Sequence, residues 1–149
     1  TLPIDYTIDG RGASPALSWV NPPAGTTGYA LLMTTLPGDG TTLYNWVLYN
    51  IPHTAAGIAE AVSSEKKLSD GSLQGINDFR TIGYGGPCPP IGRHRYFFKL
   101  YALDTVLGDL GRASKADLER AMNGHVLAEA VLIGTYQSGY SVGDAYRRL

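Results

Sequence analysis

The sequence predicts a mainly β domain, and three observations carry that prediction. Charged residues make up only 17% of the 149-residue chain, while 19 Gly, 9 Pro and 10 Tyr run through it. Gly and Pro punctuate turns, and tyrosine suits half-buried pleated surfaces. Several runs are apolar, aromatic or β-branched and stop at Gly or Pro, as strands do. One segment alone has a good helix start. At this length the chain is a single domain over residues 1–149, large enough to bury a core.

The elements follow in order. Leu17-Ser18-Trp19 is a short apolar stretch in a Gly-, Pro- and Ser-rich opening. Gly28 to Thr35 reads as a strand buried on both faces, and Leu36-Pro37-Gly38-Asp39-Gly40 as a turn. Leu43 to Ile51 is a second strand, stopped by Pro52. Residues 53–80 mix small and polar groups and suit a long excursion over the surface. Arg95 to Leu103 is the clearest strand, with Tyr96, Phe98 and Leu100 on one face and Phe97, Lys99 and Tyr101 on the other; period two puts His94 with Tyr96. Ser114 caps a helix whose first turn carries Asp117 and whose apolar stripe is Leu118, Ala121 and Met122. Asn123-Gly124 suits its end. Val126 to Tyr136 fits helix or strand, with a short helical continuation and a strand from about Ala130 as the preferred reading. Residues 138–149 read as a polar surface tail.

Composition excludes several classes of function. Twelve basic against thirteen acidic side chains leave a formal charge of −1, no footprint for nucleic acid. No apolar run reaches the roughly 18 residues that cross a bilayer, so a soluble domain without a membrane span is expected. Cys88 is the one cysteine, which rules out an intrachain disulfide or a Cys-cluster metal site. Three histidines without an acidic cluster at ligand spacing predict no metal and no cofactor. His53 and His125 read as structural or exposed, the latter at a helix end. The chain opens Thr1-Leu2-Pro3, without Met, and leaves cytoplasm and periplasm equally open.

The run Gly86-Pro87-Cys88-Pro89-Pro90-Ile91-Gly92-Arg93-His94-Arg95-Tyr96 is the most informative stretch. Proline-locked loops lose little entropy when a ligand docks, and Gly lets backbone N–H groups approach it. An imidazole, a guanidinium and a phenol follow at once. The run reads as the preformed rim of a pocket for a small acidic ligand. Arg93 and Arg95 straddle His94 and read as surface charges. On spacing alone, His94 reads first as a strand-start histidine bonded in the core or at its edge, and Tyr96 equally as a half-buried strand tyrosine.

Three segments then match one family in order and spacing. Gly12 to Trp19 resembles the Gly-x-x-x-Ser-Pro-Pro-Leu-Ser-Trp opening of bacterial phosphatidylethanolamine-binding proteins, the Raf-kinase-inhibitor-like branch. Asn45-Trp46-Val47-Leu48-Tyr49-Asn50-Ile51-Pro52 resembles their His-Trp-Val-Val-x-Asn-[IL]-Pro strand. Gly86-x-x-Pro89-Pro90-x-Gly92-x-His94-Arg95-Tyr96, running on to Asp104, is similar to the family's second signature. The Gly124 to Ala128 segment is similar to bacterial members as well. The resemblance implies a large antiparallel sheet plus a smaller one with a few short helices, and a small anion pocket associated with phosphate, acetate or phospholipid head groups. In that pocket it implies His94 and Tyr96 as ligand contacts, Gly86, Pro89 and Pro90 as the loop wall, and Cys88 where members carry a small residue.

The sequence departs from the family where the charge should be. Members carry Asp-Pro-Asp-x-Pro after the first long strand; Leu36-Pro37-Gly38-Asp39-Gly40 stands there, and Asn45 replaces the pocket His of the second strand. An Asp beside two imidazoles would hold one of them charged. Leu36 and Asn45 leave His94 easier to keep neutral, and Asn45 offers two donors without charge. The expectation is a non-enzymatic binding protein with altered phosphate-type binding and a more apolar pocket rim formed with Leu36 and Pro37. The alternative is a protein-interaction module inhibiting a kinase or protease, as the resemblance allows, and bacterial relatives suggest a homodimer. A third reading, a Cys88-dependent hydrolase with His94 as base, meets two objections: the flanking prolines supply few N–H groups for an oxyanion hole, and no sequence-local Asp or Asn orients the imidazole.

Overall fold

The computed structural model describes residues 13–36, 42–86 and 93–137, with side chains for 13–36, 42–86 and 95–133. In chain order the elements are β1 (Leu17–Ser18), β2 (Gly28–Leu36), β3 (Leu43–Pro52), β4 (Gly57–Ile58), β5 (Leu73–Gln74), β6 (Arg93–Leu103), α1 (Lys115–Met122) and β7 (Val126–Gln137). Two sheets result, both antiparallel. A two-stranded one pairs β1 with β4, and a five-stranded one runs β5-β3-β2-β6-β7. The mainly β architecture with a larger and a smaller sheet is as the sequence implied; among the described residues one α-helix is present where a few were expected.

The centre of the large sheet is covered on both faces, which is why β2 is apolar almost without alternation, whereas the described residues of the edge strand β7 are exposed. On one face Tyr29, Leu31, Met33, Trp46, Leu48, Tyr96 and Phe98 form a core closed by Leu17, Trp19 and Ile58 around the small sheet. On the other, Ala30, Leu32, Val47, Tyr49 and Leu103 pack against Leu107, Ala113, Leu118 and Met122. Tyr96 and Phe98 share the first face and Tyr101 sits against the second, so the period-two reading of β6 holds. Helix α1 has the Ser114–Asp117 capping box, with the Asp117 carboxylate accepting from the Ser114 backbone N–H at 3.0 Å. A cap contributes about 1 kcal/mol, whereas burying Leu118 and Met122 contributes about 2 kcal/mol each. Packing therefore holds the helix, and the cap sets where it starts.

Two expectations are corrected. Val126 to Gln137 is strand throughout, with no helical continuation, pairing in register with β6 from Leu103↔Val126 to Arg93↔Gln137. Gly124 at φ +81° ends the helix, and the long partner β6 captures the segment. Residues 53–80 are also more than a surface excursion. They carry β4 and β5, and Ser72, Leu73, Gln74 and Asn77 are buried. Gln74 is buried at low cost because every polar group of its amide is used. Its Oε1 accepts from the Trp46 indole N–H at 2.7 Å, and its Nε2 donates to the carbonyls of Ser63 and Glu65. The 138–149 tail lies outside the described residues. Among those described, no helix is long and apolar enough to cross a membrane.

Candidate binding site

Of the residues singled out by the sequence, Leu36, Asn45, Gly86, His94 and Tyr96 are among those described, and their backbones lie at one end of the large sheet. There β2 ends, while β3 and β6 begin, because β2 runs antiparallel to both. Thr35 is the hinge of this end, facing Leu43 of β3 on one side and Tyr96 of β6 on the other.

Asn45 is placed by a β-bulge. Tyr44 faces Thr34 and Trp46 faces Met33, so Asn45 is the extra residue between them. A bulge redirects a side chain that regular pairing would have kept in the pleat. Asn45 is 1% exposed, and a buried amide needs partners. Its Oδ1 accepts from the Thr35 hydroxyl, and its Nδ2 donates to the Gly85 carbonyl at 2.8 Å. Its backbone carbonyl accepts from the Gly85 N–H at 2.7 Å. Of the two amide donors expected to serve an anion, one is therefore committed to the protein, and one remains.

The segment leading into the proline-rich loop is built by equally local means. Asn77 accepts from the Phe79 N–H through Oδ1 and donates through Nδ2 to the Gly83 carbonyl, each at 2.9 Å. This closes the turn before the segment. The Phe79 ring lies so close to Gly85 that a Cβ there would stand 2.5 Å from it, so a larger residue would have to displace the ring. Tyr84 meets Trp46 edge-on, with ring centroids 5.4 Å apart. Gly86 is buried at the mouth of the loop. Pro37, Cys88, Pro89 and Pro90 lie outside the described residues.

Leu36 ends β2, 44% exposed and paired with Arg95, itself exposed as expected. His94 is the second residue of β6, in register with Tyr136 of β7 and two residues before Tyr96 in an unbroken stretch of ladder. Tyr96 is fully buried in the first core cluster, and so packs the sheet whatever else it does. Beside Asn45, burial and then the neighbouring Glu119 raise the Tyr44 phenol above its ordinary value, which keeps it a donor to that carboxylate. Lys115 lies 4.2 Å over the Tyr44 ring and 3.3 Å from Asp78. His125 sits just past α1, its Nδ1 2.8 Å from Asp104, and His53 is exposed. Reading the sequence missed Thr35 and Gly85, the two partners that hold Asn45. Nothing in their types announces the pairing, since Gly85 is 40 positions from Asn45.

The described residues bring together at this end a buried amide, the backbone of Gly85 and the start of β6. Comparison with known proteins agrees in fold and sequence. The phosphatidylethanolamine-binding protein family pattern matches residues 1–137. A UPF0098 protein of Methanothermobacter thermautotrophicus is 49% identical over 93% of this chain and 91% of its own length. One from Aquifex aeolicus is 43% identical over 91% and 81%. Among solved structures, a phosphatidylethanolamine-binding protein homologue from Chlamydia trachomatis superposes with a TM-score of 0.82 at 34% identity, covering 91% of this chain and 88% of that one. The YbcL protein of E. coli, described as a new member of the mammalian family, gives 0.77 at 31% identity, covering 92% and 87%. The fold, the two signatures and these relatives together place the chain in the phosphatidylethanolamine-binding protein family.

Proposed function

We propose that this is a non-catalytic binding protein that holds a small anion or polar head group (phosphate, carboxylate or phospholipid head group) at the end of the sheet framed by Asn45, Gly86, His94 and Tyr96. Leu36, Pro37, Cys88, Pro89 and Pro90 complete the pocket in this reading. The observation that carries it is the Asn45 bulge. A buried amide is turned out of the ladder, tied to Thr35 and Gly85, and left with one donor beside the loop mouth. Binding through that donor and an imidazole lacks the acidic partner that the family motif supplies. It is therefore weaker than motif-bearing pockets and driven by hydrogen bonds and shape more than by charge.

Titration of the protein with inorganic phosphate and with O-phosphoethanolamine, read by calorimetry and by NMR of the His94 ring, tests this. The expected result is saturable binding lost in His94→Ala, with little change in the ring's titration. Binding to neither ligand, or binding untouched by His94→Ala, overturns the proposal. Tight phosphate binding coupled to a raised His94 pKa overturns the reading that binding is weakened by the missing acid.

A further inference from the structure

The two edges of the large sheet, among the described residues, are finished differently. One is β5, two residues long and buried. The other is β7, twelve residues long, with its side chains exposed from Val126 to Ile133. A long edge strand offers a row of backbone N–H and C=O groups to any strand laid beside it, and proteins ordinarily blunt it with lysine, proline or a bulge. β7 contains no Lys, Arg or Pro. Its one irregularity is at Leu127, and the ladder with β6 is regular from Ala128 to Gln137.

The strand is also apolar on both faces. Val131 and Ile133, in register with Lys99 and Phe97, lie on the face that carries α1, and Leu132, in register with Phe98, lies on the face of the small sheet. These three are 48%, 57% and 57% exposed. Near-continuous apolar runs belong to strands covered on both faces, as β2 is. Val20, 81% exposed, shares with Leu132 a groove of about 360 Å³ on the first face, so the apolar surface continues beside the edge.

We infer that β7 is an interface between two copies of this chain, paired antiparallel about a two-fold axis through Leu132, so that two large sheets become one. Self-complementarity is what selects a second copy. A two-fold axis perpendicular to the sheet keeps each face on its own side. Leu132 then faces its equivalent in the second copy, and Val131 faces Ile133 on either side of it. The three most exposed large residues of β7 thus stand at the centre of the joint, where burial is most complete. Glu129, the one charged residue of the strand, falls opposite Thr135. The two Glu129 positions lie six residues apart along the joint, about 20 Å, so no like charges meet. An axis through Ala130 instead would set Glu129 against Val131 and carry Ile133 off the centre. With the axis at Leu132 the regular ladder overlaps from Ala128 to Tyr136, a joint about 30 Å long.

The test is sedimentation equilibrium over a range from about 1 to about 500 µM. A reversible monomer–dimer equilibrium is expected. Leu132→Glu, at an exposed position, places two carboxylates face to face on the axis and should weaken the dimer by about tenfold or more, with the near-UV circular dichroism of the fold unchanged. The register is read by cysteine cross-linking in a Cys88→Ser background. Directly opposed strand residues have Cα atoms within disulfide reach, so Leu132→Cys should join two copies on oxidation with copper phenanthroline, and Ala128→Cys should not. A monomer at every concentration, a dimer as strong in Leu132→Glu, or cross-linking at Ala128→Cys in place of Leu132→Cys overturns the inference.

Discussion

Strand β3 carries two bulges, each built around an asparagine, and they differ in what surrounds each amide. Between Leu31↔Leu48 and Tyr29↔Ile51 the second bulge places Asn50, at φ +54°. Its Nδ2 donates to the Leu107 carbonyl at 2.7 Å and its Oδ1 accepts from the Leu107 N–H at 3.0 Å. That amide imitates a strand partner and is closed on a single residue of the 104–113 loop. Asn45 binds the protein through Oδ1 and one N–H and keeps the other N–H. Each amide therefore uses its oxygen and one N–H and keeps the other N–H; Asn50 fastens the sheet to the 104–113 loop from a half-buried position, whereas Asn45 is buried at the opposite end of the strand and ties it to Gly85. Identical chemistry on one strand thus serves two ends of the sheet, and its surroundings, not the number of groups spent, tell the two apart.

The largest effect that can break this contrast is at Asn50. Asn50→Ala removes both bonds to Leu107 and forces a Cβ residue without polar help into the left-handed region, and should cost about 3 kcal/mol in urea unfolding. Asn50→Gly relieves the backbone and should cost about 1 kcal/mol less than the alanine variant. Phosphate binding should survive both, and its loss in a folded Asn50 variant would contradict the division of labour.

Asn45→Ala comes next. It strands the Thr35 hydroxyl and the Gly85 carbonyl and should cost about 2 kcal/mol, with ligand affinity falling as well. Asn45→His sharpens the point, since it restores the side chain that the family resemblance implies there. Phosphate affinity should rise by about fivefold at pH 6 and much less at pH 8, because only the imidazolium adds charge. A pH-independent gain would mean that the imidazole acts as a neutral donor.

The smallest effect concerns acid. Neither bulge asparagine titrates, so acid sensitivity must enter elsewhere, and the cap of α1 is one place. The Asp117 carboxyl is lowered from 3.8, first by its bond from the Ser114 backbone and then by the Ser114 side chain, with Arg120 adding a smaller effect. A lowered carboxylate stabilises the fold in full above its ordinary value and loses that contribution as pH falls through the lower folded value. Asp117→Asn should therefore flatten stability against pH below about 4 while leaving neutral-pH phosphate binding unchanged. A comparable acid slope in the variant would place the titration at another carboxylate.

Much of this was legible in the chain. β2, β3 and β6 are long enough that local pattern decides them, and Ser114 with Asp117 marks the helix start without tertiary help. The candidate site was half legible. The resemblance implied roles for His94, Tyr96 and Asn45, and Tyr96 falls on the face that alternation assigns it. That Asn45 would spend one of its two donors was not legible, because the receiving carbonyl belongs to Gly85. Gln74 hid β5 for the same reason, since a lone glutamine among small polar residues reads as surface until Trp46, Ser63 and Glu65 are seen around it.

By itself the sequence determined the strand periodicity, the cap, the run of glycine and proline before β6 and the absence of the family's acidic motif after β2. Each follows from backbone torsions, side-chain alternation or residue identity, which act over a few positions. The tertiary structure alone decided where the bulges fall, that Val126 to Gln137 pairs instead of coiling, and that Gln74 is buried with its whole amide bonded. Those outcomes depend on partners distant in the chain. Whether a buried polar group is satisfied is a property of the packed assembly, and no local pattern encodes it.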